Sequence, residues 1–277
     1  TPNQERRVVV HIDAEVDSSI QVEIKKSDLI TQDTLSSPIG GVDVDLYRNG
    51  RWVETRKTKL DGKAHFAYKP RSRDSLLFEI RNDTHDYLWT ESVAPDFVTI
   101  DHFDSSTRRS DNRGFRIVFK DNGLTEDFYL IELRGYRWLY KFDPWSGDKT
   151  DSTLVSEPVR MSSVNQIFFS DNNVVNNRQP FELFNDQIFN GESAFKLDFD
   201  VRNFVLIAQA DRSEVFKLEA RLKHITKAYY QFLTTLSLNR PVYGGPFSTS
   251  SQVPSNIQGG YGIFATYASD VKELRFQ

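Results

Sequence analysis

Apolar and polar side chains begin to alternate within the first ten residues and do so again along most of the chain. Val8, Val10 and Ile12 alternate with Val9, His11 and Asp13; Ile20, Val22 and Ile24 alternate with Gln21, Glu23 and Lys25. A period of two puts each set on its own face of a strand, so every such run predicts a strand with one buried face. The turn Pro38-Ile39-Gly40-Gly41 follows a polar stretch over residues 31–37, and then Val42, Val44 and Leu46 alternate with Asp43, Asp45 and Tyr47. Asn49-Gly50 is a strong hairpin signal, since both residues accept positive φ, and it folds residues 51–56 back on the preceding strand. Asp61-Gly62 makes a second such turn ahead of Ala64, Phe66 and Tyr68, and Leu76, Phe78 and Ile80 form another run. Roughly six or seven short strands within about ninety residues predict an Ig-like or transthyretin-like β-sandwich.

Ser, Asp, Thr and Arg dominate residues 101–113, which places a boundary there and divides the chain into domains at 1–100 and 101–277. In the second domain Phe115, Ile117 and Phe119 alternate with Arg116, Val118 and Lys120, and a long strand is expected over residues 128–142. Pro144, Pro158 and Pro180 interrupt the pattern, which returns at Phe195, Leu197 and Phe199, continues through residues 204–208, and appears again at Phe216, Leu218, Ala220 and Leu222. The period then changes. Ile225, Ala228, Tyr229, Phe232 and Leu236 fall on one helical face behind Thr226 as N-cap, predicting one helix near 226–238. The expected fold class is therefore all-β, two β-sandwich domains with one short helix in the C-terminal region. Gly259, Gly260 and Gly262 bracket Tyr261 just before Ile263, Ala265 and Tyr267. They read as a structural turn, because a phosphate cradle would have to open a helix and here a strand pattern follows. The turn predicts burial of Ile257 and Phe264 and a strand that completes the second sandwich.

Composition sharpens this picture. The 277 residues include 21 Phe and 11 Tyr, side chains suited to pleated, half-buried surfaces. A net charge of −4 gives no reason to expect nucleic acid or an anionic membrane as partner. Cysteine is absent, which removes disulfides, thiol catalysis and thiolate metal sites. No apolar run reaches the roughly twenty residues of a membrane helix. The opening Thr1-Pro2-Asn3-Gln4, with neither Met nor an apolar leader, reads as a mature chain from which a targeting segment has been removed.

Catalytic patterns are missing from the sequence: it contains no Gly-x-Ser-x-Gly, no His-Glu-x-x-His and no phosphate-binding glycine loop. His11, His65 and His224 occupy polar positions of strands, while His85 and His102 lie beside aspartates in loops without the spacing of a ligand set. The clusters Asp171-Asn172-Asn173 and Asp200/Asp211 read as solvated turns rather than calcium loops. The expectation is a non-enzyme with no cofactor and no metal. Tyr136, Trp138, Tyr140 and Phe142 share one strand face, either as sandwich core or as a stacking platform, and Trp145 follows beside Pro144 and Gly147. Trp138, Tyr140 and Trp145 are thus candidate ligand contacts, with Trp52 and Trp89 as further aromatic candidates. Tyr243 and Phe247 join them because they lie in a loop, residues 239–259, longer than most connections in a compact domain.

Two stretches carry resemblances. The run from Pro38-Ile39-Gly40-Gly41-Val42 to Leu46-Tyr47, with Asp61-Gly62-Lys63-Ala64-His65-Phe66, resembles the prealbumin-like regulatory domain of carboxypeptidases. In the second half, Phe115 to Asp121 with Asp127-Phe128-Tyr129-Leu130-Ile131, then Asp186-Gln187-Ile188-Phe189-Asn190-Gly191, then Tyr229-Tyr230-Gln231-Phe232-Leu233 with Asn256-Ile257-Gln258-Gly259-Gly260-Tyr261-Gly262-Ile263-Phe264, resemble one family. That family is the Bacteroidota outer-membrane lipoproteins whose domain has no assigned function and which are encoded beside TonB-dependent receptors. The resemblance implies a lipoprotein at the outer membrane, surface-exposed or periplasm-facing. It touches the membrane only through a lipid anchor on a segment now removed, since the lipobox cysteine of such members is absent here. It also implies a TonB-dependent outer-membrane receptor as partner and a small ligand, peptide or glycan as cargo. An adhesin or protein-interaction module and a glycan-binding protein are the alternatives.

Overall fold

The computed structural model describes residues 8–26, 37–82, 85–106, 113–123, 125–164, 167–169, 180–201, 214–238 and 253–276. The first strands are β1 (Val8–Glu15), β2 (Ile20–Lys26), β3 (Ser37–Pro38), β4 (Asp43–Arg48), β5 (Arg51–Lys57), β6 (Lys63–Phe66), β7 (Ser75–Asn82) and β8 (His85–Val93). Next come β9 (Ile100–Ser106), β10 (Arg113–Phe119), β11 (Phe128–Phe142), β12 (Lys149–Pro158), β13 (Met161–Ser163), β14 (Phe181–Asn185) and β15 (Phe195–Val201). The last elements are β16 (Glu214–Ile225), the helix α1 (Lys227–Leu238) and β17 (Tyr261–Arg275). The protein is all-β with a single helix among the described residues. That helix is neither long nor apolar enough to cross a membrane. The strand expected over residues 204–208 lies outside the described residues.

Contacts divide the chain into two compact units, Thr1–Phe97 with His224–Ala268, and Val98–Lys223 with Ser269–Gln277. This departs from the sequence division at 100/101 in one respect. The segment from His224 to Ala268, with α1 and the glycine-rich turn, belongs with the N-terminal strands. The cause is a pairing that no local pattern reveals: β17 runs parallel to β1, with Val10 opposite Gly262 and Ile12 opposite Phe264.

The first unit has two sheets. One runs β17-β1-β2-β3, with β6 also paired to β2; the other runs β5-β4-β7-β8. Inward residues of both sheets meet in one core that includes Val10, Ile12, Val22, Leu46, Phe66, Phe78, Ile80 and Phe264. Phe78 is its centre, edge-on to Phe66 at 5.3 Å and to Phe264 at 5.2 Å, an arrangement that aromatic quadrupoles favour. The Asn49-Gly50 hairpin forms where its chemistry requires, with φ of 49° and 74°. At one end of the unit the carboxylate of Asp74, only 3% exposed, accepts hydrogen bonds from Tyr68 Oη (2.5 Å), Arg48 Nε (2.7 Å) and the Arg71 amide (2.8 Å). Helix α1 lies over β1 and β17, with Phe232 edge-on to His11 and Tyr229 near Tyr267, each at 6.4 Å. Thr226 accepts the Tyr230 amide through its carbonyl at 2.9 Å, as the residue before a helix should. Its hydroxyl, expected to cap the helix, makes no hydrogen bond among the described residues. The buried helix positions are Leu233 and Ser237, neither of them on the face that the apolar spacing predicted, whose Ala228, Tyr229, Phe232 and Leu236 are half-buried.

The second unit contains the sheet β13-β15-β10-β9, and a second sheet in which β11 sits between β12 and β16 and also pairs β14. Their inner faces supply a core rich in phenylalanine, including Phe115, Phe119, Tyr129, Phe168, Phe184, Phe189, Phe195 and Phe199. Phe189 and Phe195 stack at 3.8 Å, and Tyr129 stacks on Phe184 at 5.3 Å. These rings account for much of the Phe-rich composition.

Candidate functional site

Register assembles an aromatic face on the first unit. Leu46, Phe78, Ile80 and Leu88 point into the core, so the alternate positions of β5-β4-β7-β8 point away from it. One cross-strand row reads Trp52–Tyr47–Leu77–Glu91, and the next reads Thr55–Asp45–Glu79–Trp89. Trp52 is 61% exposed, Tyr87 52% and Trp89 37%. With strands about 4.8 Å apart, Trp52 on one edge and Trp89 on the other stand roughly 14 Å apart across the sheet.

Hydrogen bonds among polar residues hold the Tyr87 and Trp52 rings. Glu79 accepts from Tyr87 Oη at 2.6 Å and from Tyr47 Oη at 3.2 Å. The bond to Glu79, aided by burial and by the Glu79 charge, pushes the Tyr87 hydroxyl up to about 12, so it stays a donor. Trp52 Nε1 donates to Thr55 Oγ1 at 3.2 Å; Thr55 in turn donates to Asp45, which also pairs with Arg81. The open edge of β8 is closed at one point, where Trp89 and Gln258 exchange backbone hydrogen bonds of 3.3 and 2.8 Å. Thr90 Oγ1 adds a bond of 2.8 Å to the Asn256 carbonyl. Fixed Trp and Tyr rings with hydrogen-bonding rims suit stacking against an apolar or sugar-like surface.

The glycine turn supports this edge. Gly259 (φ 80°) packs so closely on β8 that a Cβ there would stand 2.9 Å from the Tyr87 carbonyl oxygen. On Gly260 it would meet the Val8 carbonyl at 3.1 Å. On Gly262 (φ 122°) it would lie 1.8 Å from the Val10 carbonyl oxygen, so only glycine permits the β1–β17 contact. Ile257 and Phe264 are buried, and the Asn256 side chain brackets Phe264 through bonds of 2.8 and 3.0 Å. The strand that follows completes the first unit's sheet, not a second sandwich as the sequence suggested.

The other aromatic candidates do not form one platform. Trp138 stacks on Phe216 at 5.9 Å, and the Lys149 ammonium sits 3.3 Å above the Tyr140 ring. Both rings are half-buried. Trp145 stands apart, 95% exposed in the β11–β12 turn, where the Asp143 carboxylate accepts the Trp145 and Ser146 amides at 2.8 Å each. Tyr243 and Phe247 lie outside the described residues, as do Asp171 and Asp211.

Missing from the sequence reading is a buried acidic cluster in the second unit. Asp121 follows β10, Asp127 precedes β11 and Asp186 follows β14; they are 3%, 4% and 1% exposed. One carboxylate oxygen from each lies within 4.8 Å of the others. Burial, together with the Asp121 and Asp127 charges, pushes the Asp186 carboxyl above the usual carboxylate range. Burial and the bond to Asp121 likewise raise the Tyr129 hydroxyl. All three acids belong to the motifs of the second half, but the long stretch of chain between Asp127 and Asp186 hid their proximity.

Fold and faces together define an all-β protein of two units that presents an aromatic sheet surface and a buried acidic cluster. The chain belongs to the family described as Domain of unknown function (DUF4249), whose model matches residues 1–273. No curated protein matches it. Among solved structures, Chitinase ChiA74 from Bacillus thuringiensis is similar over 73% of this chain at 11% identity and a TM-score of 0.19. The chain spans 28% of that chitinase, and a likeness so slight carries no argument about activity.

Proposed function

We propose that the protein is a non-enzymatic outer-membrane lipoprotein that helps a TonB-dependent receptor capture or take up its ligand. The observation that carries this reading is the outward face of β5-β4-β7-β8, where Trp52, Tyr87 and Trp89 are exposed, Tyr87 bonded to Glu79 and Trp52 held through Thr55 to Asp45. Trp and Tyr supply large rigid contact area at small entropic cost, and they dominate the energetics of binding surfaces. The prealbumin-like turns of this unit and the motifs shared with secreted lipoproteins support the same reading. Affinity purification of the full-length lipidated protein from outer membranes tests it, with a receptor expected to co-purify. Trp52→Ala with Trp89→Ala is expected to weaken that association about thirtyfold, the equivalent of about 2 kcal/mol, at an unchanged melting temperature. Equal receptor recovery with the double variant, or a locus without a receptor gene and no co-purifying receptor, would overturn the proposal. The exposure of Trp145 supports a second reading, contact with a glycan.

A further inference from the structure

The geometry points to a calcium site in the second unit, built from Asp121, Asp127 and Asp186 at the ends of β10, β11 and β14. Three buried carboxylates without an ion would be an expensive arrangement. Two of them are already oriented. Asp121 accepts from Tyr129 Oη at 2.5 Å and from the Gly191 amide at 2.7 Å, and Asp127 Oδ1 accepts from Thr125 Oγ1 at 2.8 Å. Asp186 is the decisive residue. It is 1% exposed, and neither of its carboxylate oxygens has a hydrogen-bond partner among the described residues, yet one of them faces the other two acids. A bound cation would meet that demand.

The donor set selects the ion. Oxygen-only ligands exclude the soft and borderline metals that seek Cys or His. Two oxygens that bind one Ca2+ at about 2.4 Å can stand at most about 4.8 Å apart, whereas around Mg2+ the limit is about 4.1 Å. The observed spread, within 4.8 Å, falls inside the limit for the larger ion. Calcium also tolerates irregular coordination, so water and backbone carbonyls can complete its shell.

The surrounding backbone is drawn together as such a site requires. Asp186 N donates to the Asp127 carbonyl at 3.2 Å, Asp121 N to the Glu192 carbonyl at 3.1 Å, and Asn190 Nδ2 to the Thr125 carbonyl at 3.2 Å. Gly123 and Gly191 touch so closely that a Cβ on Gly123 would stand 2.5 Å from Gly191 Cα. An ion here ties the loop before β11 to the loop after β14, bracing both over the phenylalanine core.

Calorimetry and thermal melting of the chelator-treated full chain test the site. One Ca2+ per chain is expected to bind, and at about a hundredfold excess over Kd the melting temperature should rise by about 5 °C or more. Mg2+ at equal concentration should raise it less. Asp186→Asn should abolish both calcium effects while melting, without calcium, no lower than the chelated wild type. On the wild type, terbium should give emission sensitised by the nearby Tyr129 ring and displaced by Ca2+. No binding at millimolar Ca2+ or no sensitised emission overturns the proposal. So does equal Ca2+ binding by the wild type and the Asp186→Asn variant, which would mean an adventitious ion only.

Discussion

Replacing Gly262 with alanine perturbs the parallel pairing that joins β17 to β1. Two costs follow from the geometry. A φ of 122° is a region that side chains rarely enter, worth about 1–3 kcal/mol of strain. The new methyl would also lie 1.8 Å from the Val10 carbonyl oxygen, so β1 and β17 must separate by more than an ångström. Losing two ladder hydrogen bonds costs about 1 kcal/mol each, and Phe264, two residues on, loses packing against Phe78. The total is roughly 3–5 kcal/mol out of a stability of about 5–15 kcal/mol. Gly147→Ala is the control: its φ is 73°, but nothing lies within 4 Å of the added carbon, so strain alone, about 1 kcal/mol, should remain. Urea unfolding followed by circular dichroism should show a midpoint lowered by about 1 M or more for Gly262→Ala and by a fraction of that for Gly147→Ala. Equal losses for the two variants would refute the close-approach argument.

Asp74→Asn should cost about 1.5–3 kcal/mol at neutral pH and less in acid. Burial pushes the Asp74 carboxyl up, but the bonds from Tyr68, Arg71 and Arg48 outweigh it and hold the group below its ordinary value. A depressed carboxylate contributes stability above its unfolded pKa, near 3.8, and loses it as pH falls through the lower folded value. Melting curves of both proteins from neutral to strongly acid pH should therefore converge, and a gap independent of pH would contradict the assignment. Trp145→Ala should leave the melting temperature unchanged, because the ring is 95% exposed. Loss of retention on a glycan column by that stable variant would establish the second functional reading, and unchanged retention would dismiss it.

Local pattern made much of this fold legible. Alternation at Val8–Ile12, Ile20–Ile24 and Phe195–Phe199 marks real strands, and Asn49-Gly50 marks a real hairpin, because a period of two and a positive-φ dipeptide are properties of adjacent residues. Pairings between distant segments were not legible. Nothing near Gly262 indicates that its partner is Val10, so local pattern puts the glycine turn in the wrong half of the chain. Trp138 and Tyr140 illustrate a second limit. A shared strand face is readable, but the covering of that face by Phe216 and Lys149 is a tertiary fact. Asp121 and Asp127 on one side and Asp186 on the other carried no ligand spacing, since the loops that unite them are joined through Gly123 and Gly191 rather than through sequence.

The parallel pairing of β1 with β17 has a consequence for how the molecule comes into being. The partner of Val10 lies about 250 residues downstream, which at about 5–20 residues per second is a delay of roughly 12–50 s during synthesis. Throughout that interval the β17-facing edge of β1 lacks its native neighbour, and the Phe66–Phe78 pair waits for Phe264. Residues 269–277 of the second unit also follow β1 by a long stretch of chain. Until residues 261–267 have been made, the emerging polypeptide keeps that edge of β1 unpaired, dependent on whatever shields it.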